Sequence, residues 1–496
     1  MTRSGTPTPL CLATLDDLPG PVGRPAYARA DLRAGIVHFG IGNFHRAHQA
    51  AYLDRLMSMG KARDWAIVGA GVFAGERHLR TTLAAQDWLT TLVEQSAESS
   101  EARVIGSMID FIEPARAAAT IARMGRSDIR IVSLTITEGG YFLDGAGRFD
   151  PSHPAIRADA EAPDAPRTVF GLILAALRLR RDAGLAPFTV MSCDNIPHNG
   201  RVTREALTGL ARLSDPDFAE WVAASVAVPN GMVDRITPAT GERERAIVAG
   251  HYGLIDGWPV FCEDFTQWVL EDDFPLGRPP FEAVGVRFVE DVAPFEAMKL
   301  RILNGGHAAI AYPAALMDIH FVHEAMAHPT IRAFLRGLHR HAIIPTLHPV
   351  PGIDLADYAA LVERRFANPK IGDTIPRLCA DGANRQPKFI LPTLRDALAQ
   401  GGEIDGLSLV GALWCRYCAR TTASGAPIPA NDPDWGRLSE TALRARDTPS
   451  LWLDREDVYG DLSTNTHFRA RFSFWLDALW RDGPEQTLKA WLAPLD

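Results

Sequence analysis

Short, almost continuously apolar runs recur through the first two hundred residues: GIVHFGIGNF (35–44), WAIVGAGV (65–72), IRIVSLTIT (129–137) and APFTVMSCDN (186–195). Each is bounded by glycine or polar residues and predicts a buried strand. Between them, apolar residues fall at helical spacing, as in AHQAAYLDRLMSMG with Ala47, Ala51, Leu53 and Leu56, in ERHLRTTLAAQ, and in VFGLILAAL from Val169. Strands that are apolar on both faces and alternate with helices predict a parallel sheet covered on both sides, with function gathered at the carboxyl ends of its strands. The stretch from Glu263 to Pro294 is rich in Pro, Gly and acidic residues, which predicts a crossing between domains. Beyond it the pattern is mainly helical: KLRILNGGHAAIAYPAALMDI, HPTIRAFLRGLHRHAII, IPRLCA, LPTLRDALAQ, LVGALWCRYC and a Trp-rich C-terminal set. The predicted fold class is α/β, with a dinucleotide-binding type of domain over 1–288 and a mainly α-helical catalytic and substrate domain over 289–496.

Composition narrows the function. A chain that is 47% hydrophobic and 22% charged is an ordinary folded protein, long enough for two cores. Its net charge of -9, without a compensating Lys/Arg block, argues against nucleic acid and anionic membrane and favours a small neutral partner. No run approaches the ~20 apolar residues of a membrane span, and the N-terminus lacks a hydrophobic signal core, so a cytoplasmic protein is expected. Six cysteines in so long a chain predict reduced thiols. Cys415 and Cys418 form a CxxC without a second pair, which favours buried structural thiols over zinc or redox chemistry. A monomer or weak homo-oligomer is expected.

The most informative segment is MKLRILNGGH, where Lys299, Asn304 and His307 stand in an apolar, helix-compatible run. On an α-helix, at about 100° per residue, Asn304 lies roughly 140° and His307 roughly 80° around from Lys299. Desolvation disfavours an ammonium, so a lysine in such surroundings gives up its proton more readily and suits proton transfer. The alternative is a snorkelling lysine beside a satisfied amide. GIGNFHRAH adds Gly40 and Gly42 in G-x-G spacing between a strand and a helix that begins near Asn43 and Phe44. Such a turn admits a pyrophosphate to backbone N–H groups, although His45 stands where a third glycine is usual. Glu138 and Gly139 close another strand at the expected cofactor edge; a turn without a ligand is the competing reading.

FGIGNFHRAHQAAYLDRL, SLTITEGGY, SCDNIPHNG, PNGMVDRITP, CEDFTQWVLED and MKLRILNGGH occur in this order, and together they resemble the polyol-specific long-chain dehydrogenase/reductase family over roughly residues 33 to 480. The resemblance implies a Rossmann-type N-terminal domain, a mainly α-helical C-terminal domain, and zinc-independent, NAD-dependent oxidation of a polyol to a ketose, D-mannitol to D-fructose and back. It implies catalytic roles for Lys299, Asn195, Asn304 and His307, and substrate contacts from Asp234 and Arg377. Cofactor contacts would come from Gly40, Gly42, Asn43, Phe44, Glu138 and Gly139, with no metal site. A neutral amine at Lys299 can take the hydroxyl proton, and two amides can stabilise alkoxide character. Asn195 could instead make an Asx turn, His307 could satisfy a backbone carbonyl, and Asp234 could pair with a neighbouring arginine.

NAD specificity usually needs an acid near the end of the second strand, and Glu76 comes late with Arg77 and Arg80 behind it, so NADP is not excluded. Related readings are an arabinitol or sorbitol dehydrogenase, or a fructuronate reductase with Arg377 and Arg385 as a cationic clamp. A different class is a Schiff-base lyase using Lys299 as nucleophile.

Overall fold

The computed structural model describes residues 7–145 and 147–495. The chain divides into two compact units, the first ending at Val292 and the second beginning at Ala293.

In the first unit, strands β1 (Ala34–Phe39), β2 (Ala66–Ala70), β3 (Thr90–Gln95), β4 (Ser100–Ile105), β5 (Met108–Phe111), β6 (Ile131–Leu134) and β7 (Thr189–Ser192) follow in chain order. Five of them form a parallel sheet of order β5-β2-β1-β6-β7. Val37 pairs with Val68 on one side and with Val132 on the other, and Val132 pairs with Val190. All four are buried, and each such side chain contributes about 1.5–3 kcal/mol of hydrophobic stabilisation. Helices α1 (Asn43–Ala47) and α2 (Gln49–Ser58) connect β1 to β2, α3 (Glu76–Ala85) follows β2, α4 (Val169–Asp182) precedes β7, and α5 (Asn199–Ser214) leaves it. The chain builds outward from β1 through β2 and then resumes on the other side at β6, so the topological switch point lies at the carboxyl ends of β1 and β6.

The stretch predicted as a crossing is structured. Strands β8 (Gly231–Asp234), β9 (Val260–Glu263), β10 (Gln267–Glu271) and β11 (Arg287–Val289) complete the unit. β10 pairs antiparallel with β8 and parallel with β11, while β9 joins β3 and β4 in a further sheet. The buried run Trp268, Val269 and Leu270 is too short to show a period, and the Pro/Gly-rich turn after it is tied down by side chains instead. Arg278 stacks 3.4 Å from the Phe288 ring centre and pairs with Asp272 and Glu282, both at 2.7 Å.

The second unit is helical, with α6 (Ala293–Met298), α7 (Gly305–Leu316), α8 (Pro329–Leu338), α9 (Leu355–Phe366), α10 (Gly382–Phe389), α11 (Asp405–Cys418) and α12 (Thr466–Leu492) as its main elements. α7 and α11 are buried almost all round, as their nearly unbroken apolar sequence requires. Cys415 and Cys418 are buried free thiols in α11, and burial pushes both thiols up, away from the reactive thiolate. Among the described residues no helix is long and apolar enough to cross a membrane.

Candidate functional site

At the switch point of the first unit the backbone itself makes room. Gly40 has φ of +92°, and a β-carbon there would collide with the Thr135 carbonyl, so only glycine serves. The Gly42 N–H donates to the Gly40 carbonyl at 2.7 Å, closing a tight turn. A β-carbon on Gly42 or on Gly139 would meet nothing within 4 Å. These open approaches, at the ends of neighbouring strands β1 and β6, fit a dinucleotide held against the backbone. Glu138 is exposed beside Gly139. The Asn43 side chain is already engaged: its amide donates to the Pro238 carbonyl and Thr240 Oγ1, both at 2.9 Å, and its oxygen accepts from buried Arg46 at 2.8 Å. Asn43 is therefore a strut for the turn rather than a free side-chain donor. Phe44 stacks on His48 at 4.9 Å.

His45, in place of the third glycine, lies flat on His38 of β1 with ring centres 3.5 Å apart. Ring-on-ring contact thus takes over the helix-to-strand packing that a glycine usually permits. His38 bonds Ser133 Oγ at 2.7 Å and Thr135 Oγ1 at 2.9 Å, linking β1 to β6, and burial holds its pKa down to about 3. Burial likewise holds His45 well below the usual histidine range.

The end of β7 is clamped to the end of β6 by Asp194, which precedes Asn195. Its carboxylate accepts the backbone N–H groups of Ile136 (2.9 Å) and Thr137 (2.8 Å) and the Tyr141 hydroxyl (2.7 Å). Burial raises the Asp194 pKa, against the opposing effect of these hydrogen bonds. Thr137 sits at φ of +61°, a conformation costly for a β-branched residue and retained where its surroundings enforce it. Asn199 donates to the Gly231 carbonyl at 2.7 Å and accepts the Gly231 N–H at 2.9 Å, fixing β7 to β8. Asn195 itself is exposed at this strand end, while Asp234, at the end of β8, is 5% exposed. Arg235 makes its ion pair with Glu94.

In the second unit, Lys299–Asn304 is a π-helix, with the Gly305 N–H reaching back to the Leu300 carbonyl. The α geometry expected for this segment is therefore corrected. At about 4.4 residues per turn, roughly 82° per residue, Asn304 falls only about 50° from Lys299, so amine and amide share one face. Lys299 is 4% exposed, His307 5% and Asn304 9%. Among the described residues, Asn304 Oδ1 and His307 Nε2 are buried without a hydrogen-bond partner, a pairing deficit that a hydroxylated ligand would relieve. His307 stacks on Phe366, centres 3.9 Å apart, and is held well below the usual histidine range by burial first and then by the charges of Arg377, Arg385, Arg365 and Lys299.

Arg377 pairs bidentately with Asp373, at 2.6 and 2.5 Å, and Arg385 donates to the Arg377 and Leu378 carbonyls. In the first unit Glu76 folds back to accept the Phe73 N–H at 2.8 Å, while Arg77 and Arg80 both pair with Glu113. Sequence reasoning missed the Asp194 clamp and Asn199. Asp194 had a signal, its place beside Asn195 in SCDN; Asn199 had none beyond its neighbourhood.

The open glycine turns of the first unit fit a dinucleotide and the buried Lys–Asn–His set of the second fits a hydroxylated ligand, and comparison with known proteins gives the class, an oxidoreductase acting on a CH–OH group. Residues 34–283 match the mannitol dehydrogenase Rossmann domain and residues 291–480 the mannitol dehydrogenase C-terminal domain. The chain is 57% identical to a mannitol 2-dehydrogenase of Cereibacter sphaeroides over 95% of its own length and 99% of the relative's. It is 42% identical to a mannitol 2-dehydrogenase of Aspergillus fumigatus over 94% of this chain and 95% of that one. A solved Pseudomonas fluorescens mannitol 2-dehydrogenase, in a ternary complex with NAD and D-mannitol, superposes with a TM-score of 0.89 at 43% identity, covering 98% of this chain and all of that one. A substrate-free D-sorbitol dehydrogenase superposes with a TM-score of 0.88 at 34% identity, covering 97% of this chain and all of that one. The chain belongs to the mannitol dehydrogenase family.

Proposed function

We propose that the protein oxidises a polyol, D-mannitol, to the ketose D-fructose and runs the reverse reaction, with NAD and without a metal. The observation that carries this reading is the buried π turn that brings Lys299 and Asn304 to one face with unmatched polar atoms on Asn304 and His307. NAD, when bound, supplies the hydride acceptor. Gly40 and Gly42 would hold it through the tight turn, and Glu138 and Gly139 would border it at the neighbouring strand end. Lys299 takes the proton from the carbinol hydroxyl, and Asn195 and Asn304 stabilise negative charge on that oxygen. His307, neutral and flat against Phe366, accepts a hydrogen bond from a polyol hydroxyl at Nε2. Asp234 and Arg377 hold further hydroxyls.

Several features support the particulars. Arg77 and Arg80 are both drawn to Glu113, which leaves less positive charge for a 2′-phosphate and favours NAD over NADP. The Arg377 charge is offset by Asp373 through Nε and Nη2, which disfavours a carboxylate substrate while leaving Nη1 to face a hydroxyl. A polyol panel assayed with NAD and NADP, by absorbance of the reduced nicotinamide, tests the reading. Fastest turnover on D-mannitol with NAD is expected; a preference for sorbitol or arabinitol would reassign the substrate. Activity abolished by EDTA and restored by zinc would overturn the metal-free mechanism.

A further inference from the structure

His339 opens a second π turn, His339–Ile343, directly after α8, and is buried. Its Nε2 lies 2.9 Å from the carbonyl oxygen of Ile302, in the middle of the turn that carries Lys299 and Asn304. Burial lowers its pKa to about 4, so the ring is neutral near pH 7 and carries one hydrogen. With a carbonyl opposite Nε2, that hydrogen sits on Nε2 and is donated to Ile302. The approach depends on Gly306: a β-carbon there would stand 3.1 Å from Nε2 and 3.5 Å from Cε1 of His339. Two successive glycines in NGGH thus have a use in the second of them, which lets an imidazole reach the helix backbone. A π turn forces an extra residue into a helix and departs from the commoner α register, so it needs support from outside the segment.

We propose that His339 is a positioning residue whose hydrogen bond to Ile302 holds the widened turn and so keeps the Lys299 amine and the Asn304 amide on one face. The inference rests on the reading that these two groups act on the substrate oxygen. Without the bond the turn relaxes toward α geometry, which swings Asn304 away from Lys299 by roughly 90°.

Substitutions His339→Gln, His339→Asn and His339→Leu separate this role from simple core packing. A glutamine amide reaches about as far as the imidazole Nε2, an asparagine amide falls short, and leucine has no donor. The measurements are kcat and KM for the polyol, the dissociation constant of NADH, and hydrogen exchange across 299–306. Asn and Leu are expected to lower kcat by about a hundredfold, the scale of a misplaced catalytic group, with NADH affinity changed less than about twofold. Exchange across 299–306 should rise in both. Gln should keep kcat within about fivefold of wild type and leave exchange unchanged, because the donor is retained. A kcat within about threefold of wild type for Asn or Leu, or Gln as impaired as Leu, overturns the assignment. If the Leu variant does not fold, the contrast between Gln and Asn decides alone. Should wild type turn over no polyol with either cofactor, the functional reading fails, and exchange still judges His339: unchanged exchange in the Asn variant overturns the positioning role and raised exchange supports it.

Discussion

In the first unit the candidate residues stand where strands end, whereas in the second Lys299, Asn304 and His307 stand along a helix that leaves the α register. The first set is made by the backbone: Gly40 at positive φ, Gly42 and Gly139 facing open space, and Asp194 holding two strand ends together. The second is made by side chains, with Lys299, Asn304 and His307 buried on Lys299–Asn304 and the start of α7. A site made of turns needs particular residues at particular steps and leaves a signature in the sequence. A site made by a register change depends on contacts from elsewhere in the fold.

The contrast predicts different failures. Lys299→Ala should lower turnover by about a thousandfold or more, the upper range for a proton-transfer group, while NADH binding stays near wild type because the first unit is untouched. Fluorescence titration with NADH and steady-state kinetics on one preparation check both halves; near-native turnover would mean that the proton goes elsewhere. Small amines should restore part of the activity. If the midpoint of the rescued pH profile stays fixed whatever the pKa of the added amine, Lys299 is not the titrating base.

Asn195→Ala and Asn304→Ala should each cost about a hundredfold in kcat, the usual scale for one oxyanion donor. Effects within a few-fold for both would remove the oxyanion assignment from both units. Gly40→Ala should act in the opposite sense, weakening NADH binding and lowering the melting temperature, since a strained backbone alone costs about 1–3 kcal/mol before the clash with Thr135 is counted. Wild-type NADH affinity in a folded Gly40→Ala protein would show that the turn does not carry the cofactor.

Much of the first unit was legible because buried parallel strands are short apolar runs and their ends are marked by glycine. The strands beginning at Ala66, Ile131 and Thr189 lie within the predicted runs, and the one beginning at Ala34 starts one residue before its run. β10 and β11 were not legible: a buried Trp268–Val269–Leu270 run inside Pro- and Gly-rich sequence looks like a linker until Arg278 is seen joining its turn to Phe288. In the second unit the lysine, the asparagine and the histidine could be named, and α periodicity already let the three share one side of a helix, but it set Asn304 roughly 140° from Lys299 where a π turn sets it about 50° away. Nothing local in KLRILN announces a π turn; the contact that bears on it comes from His339, distant in sequence. His45 likewise looked like a defect in the glycine motif, and only its stacking on His38 accounts for it.

The smallest expected effect concerns acid stability, and it tests the neutral state of the histidine behind the π turn. Burial lowers the His339 pKa from 6.5 to about 4, while Glu363 and the Ile302 carbonyl pull the other way. Between those values the unfolded chain holds a proton that the folded chain lacks, so unfolding takes up a proton and stability falls as pH falls. Above about 6.5 both states are neutral and below about 4 both are charged, so the sensitivity is confined to that window. His339→Gln removes this one proton, so its stability should decline less steeply than that of wild type by up to about 1.4 kcal/mol per pH unit within the window. His38 and His48, both held near 3 by burial in the first unit, remain in each protein and cancel in the comparison. Denaturant unfolding of both proteins at several pH values gives the slopes directly. Parallel curves would mean that His339 carries the same charge folded and unfolded across the window, and that burial does not hold the ring neutral there.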